Sequence, residues 1–314
     1  MDLIVYYDKA AAGNPYFKYI YESLYNRLQS TYPEHNFILE HPDYKQIGNC
    51  NSCPGGVSNF QIINPINNKT ILMSFWDRGM DALSGALGWE KYNIVQYIGG
   101  LGMFKNSQQI KEEYGIEHNN YQYPLGVPNS YNYIDELWTP YNPAKKIRKA
   151  VFIGSVYGIR VELEKLFKNH PLIEWIDSSH NYTGREYFNK LKDYRISLSI
   201  NGNGELALRD FESMGLNIPV FRSEMITQFH HPLIPNIHYK KSTESCDRAW
   251  FAYSNIDIKD LANQFIYSIE KNIDNYDELK YIADNGNMYF QNYCKPNYII
   301  ELFFKLLKID ELKI

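Results

Sequence analysis

The chain has 314 residues, 44% of them hydrophobic, and a formal net charge of −4. That length suits one large domain or two ordinary ones with substantial cores. The mild acidity removes the basic face expected of a nucleic-acid partner, and four cysteines are too few for a disulfide scaffold.

Leu3–Tyr7 (LIVYY) reads as a buried first strand. Asp8 and Gly13 fall in the small, polar loop that follows, and both are candidate acceptor-side residues. A helix is expected over Pro15–Ser30, with Pro at its start and Phe17, Ile20, Leu24 and Leu28 on one face. Asn36–Glu40 is a second strand. This β-loop-α-β order opens a doubly wound domain.

His41–Ser58 reads as irregular and holds Cys50 and Cys53 in a C-x-x-C spacing. No second pair follows, so the reading is a loop with two thiols and no metal site. Lys69–Trp76 is a strand, with Asp77 and Asp81 just past its carboxyl end. Ligands of open α/β sheets bind there, which makes both aspartates candidate general bases. Each is equally suited to cap a helix. Asn93–Ile98 is a further strand, Gln108–Tyr114 a short helix and Asn119–Tyr131 a Tyr/Asn/Pro-rich loop. Pro140–Arg148 reads as an interdomain linker.

A second α/β unit follows. Its expected elements are strand Lys149–Gly154, helix Ile159–Asn169, strand Leu172–Ile176, helix Gly184–Tyr194 and strand Arg195–Ile200. The turn Asn201–Gly204, a helix over Glu205–Met214 and strand Ile218–Phe221 come next. Asn236–Tyr239 is one more short strand, and Ile258–Asn272, Tyr276–Gln291 and Asn297–Leu307 are terminal helices.

Two corners in this half combine glycine with arginine at strand ends. One is Gly154-Ser155 with Arg160, the other Asn201-Gly202-Asn203-Gly204 with Arg209. Glycine allows close backbone approach, and a helix N-terminus favours phosphate. Arginine's planar fork matches diphosphate oxygens. Glu212, one turn after Arg209, can accept from a ribose or sugar hydroxyl pair. The plain alternative is an Arg209–Glu212 pair on a solvated helix face.

Lys149–Arg160 (KAVFIGSVYGIR) with Tyr194–Val220 resembles the donor half of GT-B glycosyltransferases. It is most similar to the exostosin-like and capsule-associated (O-glucosyl/xylosyltransferase) families. Phe152, Gly154, Ser155 and Arg160, then Asn201, Gly202, Arg209, Glu212, Pro219 and Val220, carry the likeness.

The resemblance implies two Rossmann-like α/β domains with parallel sheets facing a cleft, with C-terminal helices crossing back to the first domain. The divisions expected are 1–145 for the acceptor side, 146–290 for the donor side and 291–314 for the returning helix. It implies sugar transfer from a nucleoside diphosphate sugar to a glycan or small hydroxyl acceptor. Arg209 would stabilise the leaving diphosphate and Asp77 or Asp81 would serve as base. The chain has no D-x-D motif, which fits metal-independent transfer with no cofactor. Two alternatives stay open: a nucleotide-sugar epimerase or hydrolase drawing on His230 and His231, and a non-catalytic sugar-binding protein.

No apolar run approaches the ~18 residues a membrane span needs, and no signal peptide is evident at the start. A cytoplasmic location is expected. The 28 tyrosines fit an AT-rich coding bias, shared by many bacteria and large DNA viruses. For a viral protein the location would be the host cytoplasm.

Overall fold

The structure is a computed structural model that describes residues 2–7, 15–40, 57–67, 69–76, 94–99, 127–177, 182–202, 207–225, 229, 231–244, 257–307 and 309. They form two compact units, Met1–Asn129 with Pro296–Ile314, and Ser130–Lys295. No helix among the described residues is long and apolar enough to cross a membrane.

The first unit contains β1 (Asp2–Tyr7), α1 (Pro15–Thr31), β2 (Asn36–Glu40), β3 (Val57–Asn64), β4 (Lys69–Trp76) and β5 (Ile94–Gly99). Its described strands lie in the order β2-β1-β3-β4-β5. β1 runs parallel to β2, and β4 parallel to β5. β3 is antiparallel to both of its neighbours. The expectation of parallel sheets therefore needs correction here: this sheet is mixed.

β3 is also a strand that the sequence reading passed over. It forms a hairpin with β4, and two asparagines build the turn. Asn64 Oδ1 accepts from Ile66 N at 3.0 Å and Asn67 Oδ1 from Lys69 N at 3.0 Å. These local bonds let the chain reverse, and the strand then buries Phe60 and Ile62 at alternate positions.

The core of this unit joins Leu3, Val5, Leu24, Phe60 and Ile71 to Ile299, Phe303 and Leu307. The last three come from the C-terminal segment, so the chain returns to its first unit to finish that core. Arg27 pairs with Glu301 at 2.6 Å on the same side.

The second unit runs α2 (Val127–Leu137), β6 (Ile147–Gly154), α3 (Ile159–Phe167), β7 (Ile173–Asp177), α4 (Gly184–Lys192), β8 (Tyr194–Leu198), α5 (Leu208–Gly215) and β9 (Val220–Ser223). β10 (Lys240–Thr243), α6 (Ile258–Asn272) and α7 (Tyr276–Tyr293) complete it, and α8 (Pro296–Leu306) belongs to the first unit. The sheet order is β10-β9-β8-β6-β7, and every pairing is parallel. Strands covered on both faces read as mostly apolar runs. Ala150–Ile153 are buried, and so is all of β8, where Arg195 and Ser197 are the polar exceptions.

Each connection carries its own start and stop signals. Thr183 and Glu186 form a reciprocal capping box at α4, and Asp257 and Asn275 cap α6 and α7. α5 stops because Asn217 takes φ 59°. Asn217 N then bonds Met214 O at 3.0 Å and Ile218 N bonds Ser213 O at 2.9 Å, the Schellman pattern.

The units divide at 129/130 and 295/296, where the sequence reading placed divisions at 145 and 290. The segment expected as a loop through Tyr131 and a linker from Pro140 is tied into the second unit. Ile134 packs at Gly215, and the Tyr141 hydroxyl donates to Arg195 O at 2.7 Å.

Candidate functional site

In the second sheet the chain steps outward from β6 to β7, then jumps back to β8 on the other side. The carboxyl ends of β6 and β8 thus flank the switch point where open α/β sheets bind ligands. Gly154 ends β6, and Asn201 and Gly202 follow β8. α5 brings Arg209 to the same edge.

Arg209 is only 6% exposed. Its Cζ lies 4.5 Å from the centre of the Phe152 ring, a cation–π contact, and the guanidinium also hydrogen-bonds the Tyr187 side chain. Gly154 makes room for it: a Cβ there would overlap Arg209 Nη2. Arg209 Nε and Nη1 are buried and have no hydrogen-bond partner among the described residues. Asn201 Nδ2 is likewise buried and unpartnered. Buried donors are nearly always satisfied. Unpaired ones on a charged fork mark a place shaped for an acceptor.

Asn201 is held by its other side-chain atom. Its Oδ1 accepts from Arg222 Nη2 at 3.3 Å and from Ser223 Oγ at 3.4 Å. Beneath it, Arg222 and Asp210 form a fully buried ion pair, each with its side chain at 0% exposure. Asp210 Oδ2 also accepts from Ala207 N at 2.9 Å, at the start of α5. Sequence reading missed this pair. The signal was there: an arginine closing an otherwise apolar strand has to find a buried partner.

Glu212 sits one turn on, with both carboxylate oxygens occupied. Oε1 accepts from Ser130 Oγ at 2.6 Å and Oε2 from the Tyr187 hydroxyl at 2.9 Å. Burial pushes its carboxyl above the ordinary range, against the two hydrogen bonds and the Arg209 charge. Burial and the neighbouring Glu212 carboxylate drive the Tyr187 hydroxyl well above its usual value. Glu212 is therefore not part of a solvated pair. It ties α5 to α2 and α4.

The sequence assigns Arg160 to a diphosphate; in the fold its Nε donates to Asn201 O at 3.1 Å, Nη1 to Ser155 O at 3.0 Å and Nη2 to Ile200 O at 2.6 Å. All three nitrogens serve backbone carbonyls at two strand ends. Arg160 clamps the loops that carry Ser155 and Asn201, and it lies against the rings of Phe152 and Tyr157 at 5.3 and 5.0 Å. Gly202 is needed beside it, because a Cβ would overlap the Tyr157 hydroxyl and come 3.0 Å from Arg160 Nη2. Tyr157 and Phe152 join the site as packing partners of the two arginines. Ser155 is exposed at the same edge.

The structure thus brings together Gly154, Ser155, Arg160, Asn201, Gly202, Arg209 and Glu212 at one end of the sheet. Gly204, Asp8, Gly13, Asp77, Asp81, Cys50, Cys53 and His230 lie outside the described residues. His231 is described and stacks on Tyr293 with ring centres 3.8 Å apart. Among the described residues no group of three or more His, Cys, Asp or Glu is placed to hold a metal ion.

No protein-family profile and no curated protein matches the chain. Among solved structures it is similar to a glycosyltransferase from Rickettsia africae, with 14% identity, 69% of this chain and 63% of that one covered, and a TM-score of 0.45. It is also similar to a point mutant of S. aureus TarM in complex with fondaparinux, alpha-GlcNAc-glycerol and UDP, with 11% identity, 80% and 64% covered, and a TM-score of 0.43. A third similar structure is the pneumococcal O-GlcNAc transferase GtfA in complex with UDP and GlcNAc, with 9% identity, 77% and 57% covered, and a TM-score of 0.44. The chain spans less than two thirds of the length of each of these proteins.

Proposed function

We propose that the chain is a glycosyltransferase whose second unit binds a nucleoside diphosphate sugar at the carboxyl ends of β6 and β8. One observation carries this reading: Arg209 is buried at the switch point with Nε and Nη1 unpartnered among the described residues. A fork in that state suits the oxygens of a diphosphate. Asn201 Nδ2 adds a neutral donor beside it.

The chemistry follows from the charge. As the glycosidic bond to the diphosphate breaks, negative charge grows on the leaving oxygens. A fixed guanidinium held over a ring and shielded from water stabilises this added charge in the transition state more than it stabilises the diphosphate of the bound donor. Arg209 supplies this effect without a metal ion or a cofactor. Arg160 holds the two loops in shape, and Ser155 at the exposed rim is available to donate to the donor. An acceptor hydroxyl, of a glycan or a small molecule, would be deprotonated by Asp77 or Asp81 in the first unit, with Asp8 and Gly13 on the acceptor side.

Calorimetric titration of the whole chain with nucleoside diphosphates tests the reading. Binding that weakens at least tenfold in Arg209→Met supports it. Absence of binding by any nucleoside diphosphate, or binding indifferent to Arg209, overturns it.

A further inference from the structure

The opposite end of the second sheet, where β6 and β8 begin, carries a groove of about 920 Å³. Its walls include Tyr141, Lys145, Lys146, Lys192, Asp193 and Tyr276. The backbone bond from Ile147 N to Asp193 O, at 2.7 Å, starts the β6–β8 pairing and sets Lys146 beside Lys192.

The two lysines are held in an unusual way. Lys146 Nζ donates to the carbonyl of Lys192, and Lys192 Nζ donates to the carbonyl of Leu137. Neither ammonium makes an ion pair with a carboxylate among the described residues. Lys146 also lies over the Tyr141 ring at 5.4 Å. Burial, with the Lys192 charge second, lowers Lys146 to about 8, while Asp193 acts in the other direction. Burial lowers Lys192 as well.

The other charges on the groove do not cancel this pair. Lys145 adds a third cation on the rim, and Lys280 is taken by Asp284 on its own helix. Asp193 and Asp277 are the carboxylates of the lining, and both are exposed. The tyrosine hydroxyls are occupied elsewhere: Tyr141 donates to Arg195 O, and Tyr276 accepts from Arg195 Nη2 at 2.7 Å. Lys146 and Lys192 share this lining with an apolar part made by Pro140, Pro143, Ile147 and the two tyrosines.

Two like charges in a half-buried place raise each other's free energy. An anion set between them removes that penalty. A dianion with several acceptor oxygens does so best, since each ammonium offers three donors and only one is bonded to a carbonyl. We infer that this groove is a binding site for a phosphate group, held by Lys146 and Lys192 with Lys145 at its rim. It is separate from the donor site, which lies at the other ends of the same strands.

The ligand is either free phosphate or a phosphate carried on an organic body. The apolar part of the lining has a use only in the second case. Calorimetric titration of the intact chain at pH 7.5 and low salt, with inorganic phosphate and then with phenyl phosphate, reads both. Expected is binding that weakens at least tenfold in Lys146→Met and Lys192→Met and persists in Arg209→Met. Tighter binding of phenyl phosphate assigns the site to an organic phosphate, and equal binding to free phosphate.

A measurement on the unaltered chain removes any doubt about folding of the variants. Phosphate should slow acetylation of Lys146 by an amine-selective reagent several-fold, read by mass spectrometry. Lys145→Glu, a charge reversal on the exposed rim, should weaken binding as well. The inference is overturned if neither probe binds, if binding survives loss of both lysines, if Arg209→Met alone abolishes it, or if labelling of Lys146 ignores phosphate. Failure of nucleoside diphosphates to bind would leave this result untouched.

Discussion

Gly154 and Arg209 compete for one space. A Cβ on Gly154 would overlap Arg209 Nη2, the far end of a flexible side chain rather than backbone. Gly154→Ala should therefore fold, with Arg209 displaced from its place over Phe152. The expected result is a near-native melting temperature together with nucleoside diphosphate binding weakened about 10- to 100-fold. That is the range implied by losing one charge-assisted hydrogen bond of about 1.5–3 kcal/mol. Unchanged affinity in Gly154→Ala would show that Arg209 is not positioned by this glycine.

Asp210 and Arg222 test a different property, the energetic cost of an unmatched charge. Both side chains are at 0% exposure. Asp210→Asn leaves a guanidinium buried without its counter-charge and should destabilise the chain by about 3–5 kcal/mol. Arg222→Met combined with Asp210→Leu should cost less than Asp210→Asn alone, because no buried charge remains. Urea midpoints of the three chains decide the matter. A double variant weaker than the single would point to lost hydrogen bonds at Ala207 and Asn201 as the cause.

Asp274 gives a pH dependence of known sign. Hydrogen bonds from Arg148, then Arg195, hold its carboxyl below the ordinary value, against burial. Arg148 Nε and Arg195 Nη1 both reach Asp274 Oδ1, at 2.9 and 2.7 Å. The folded chain thus releases this proton more readily than the unfolded one. Its stabilising effect is complete above the unfolded carboxylate value, about 4, and is lost as pH falls through the lower folded value. Asp274→Asn should be less stable than the native chain at neutral pH, and the gap should close in acid. A gap independent of pH would refute the linkage.

Lys146 has the opposite character. Burial lowers its ammonium from 10.5 to about 8. Below pH 8 the folded chain carries a charge that the unfolded chain carries more easily, so the fold bears a penalty. Between pH 8 and 10.5 the folded chain loses this proton first, and the penalty fades. Without phosphate, Lys146→Met should melt higher than the native chain at pH 7, with the difference shrinking toward pH 10.5. A difference that grows with pH would contradict it.

Much of this was legible in the residues. The parallel second sheet followed from short apolar runs separated by glycine corners and amphipathic helices, and Gly154, Asn201 and Gly202 of those corners lie at one end of it. What stayed hidden depends on long-range geometry. VSNFQIIN alternates clearly at Phe60 and Ile62, yet it follows a C-x-x-C sequence with no pattern of its own, and its antiparallel place comes from a two-asparagine turn. VPNSYNYIDEL looks like a loop by its Tyr, Asn and Pro content. It is a helix because Ile134 and Ser130 find partners about 80 residues on, at Gly215 and Glu212. Arg160 and Arg209 have the same sequence context, glycine near a strand end. Only the path of the backbone after β8 tells them apart, by turning the carbonyls of Ile200 and Asn201 onto Arg160 and none onto Arg209 Nε or Nη1.

The return of α8 to the first core has a consequence for how the chain is made. Residues 130–295 form one continuous stretch, so the second unit can close without the segment that follows it. The first unit cannot. Ile299, Phe303 and Leu307 fill its core beside Leu3 and Leu24, and they are made after the whole second unit. Domains fold as units during synthesis, and here residues 1–129 must wait until residues 130–295 have been made. A released chain truncated after residue 295 should hold a protease-resistant second unit and an unfinished first one.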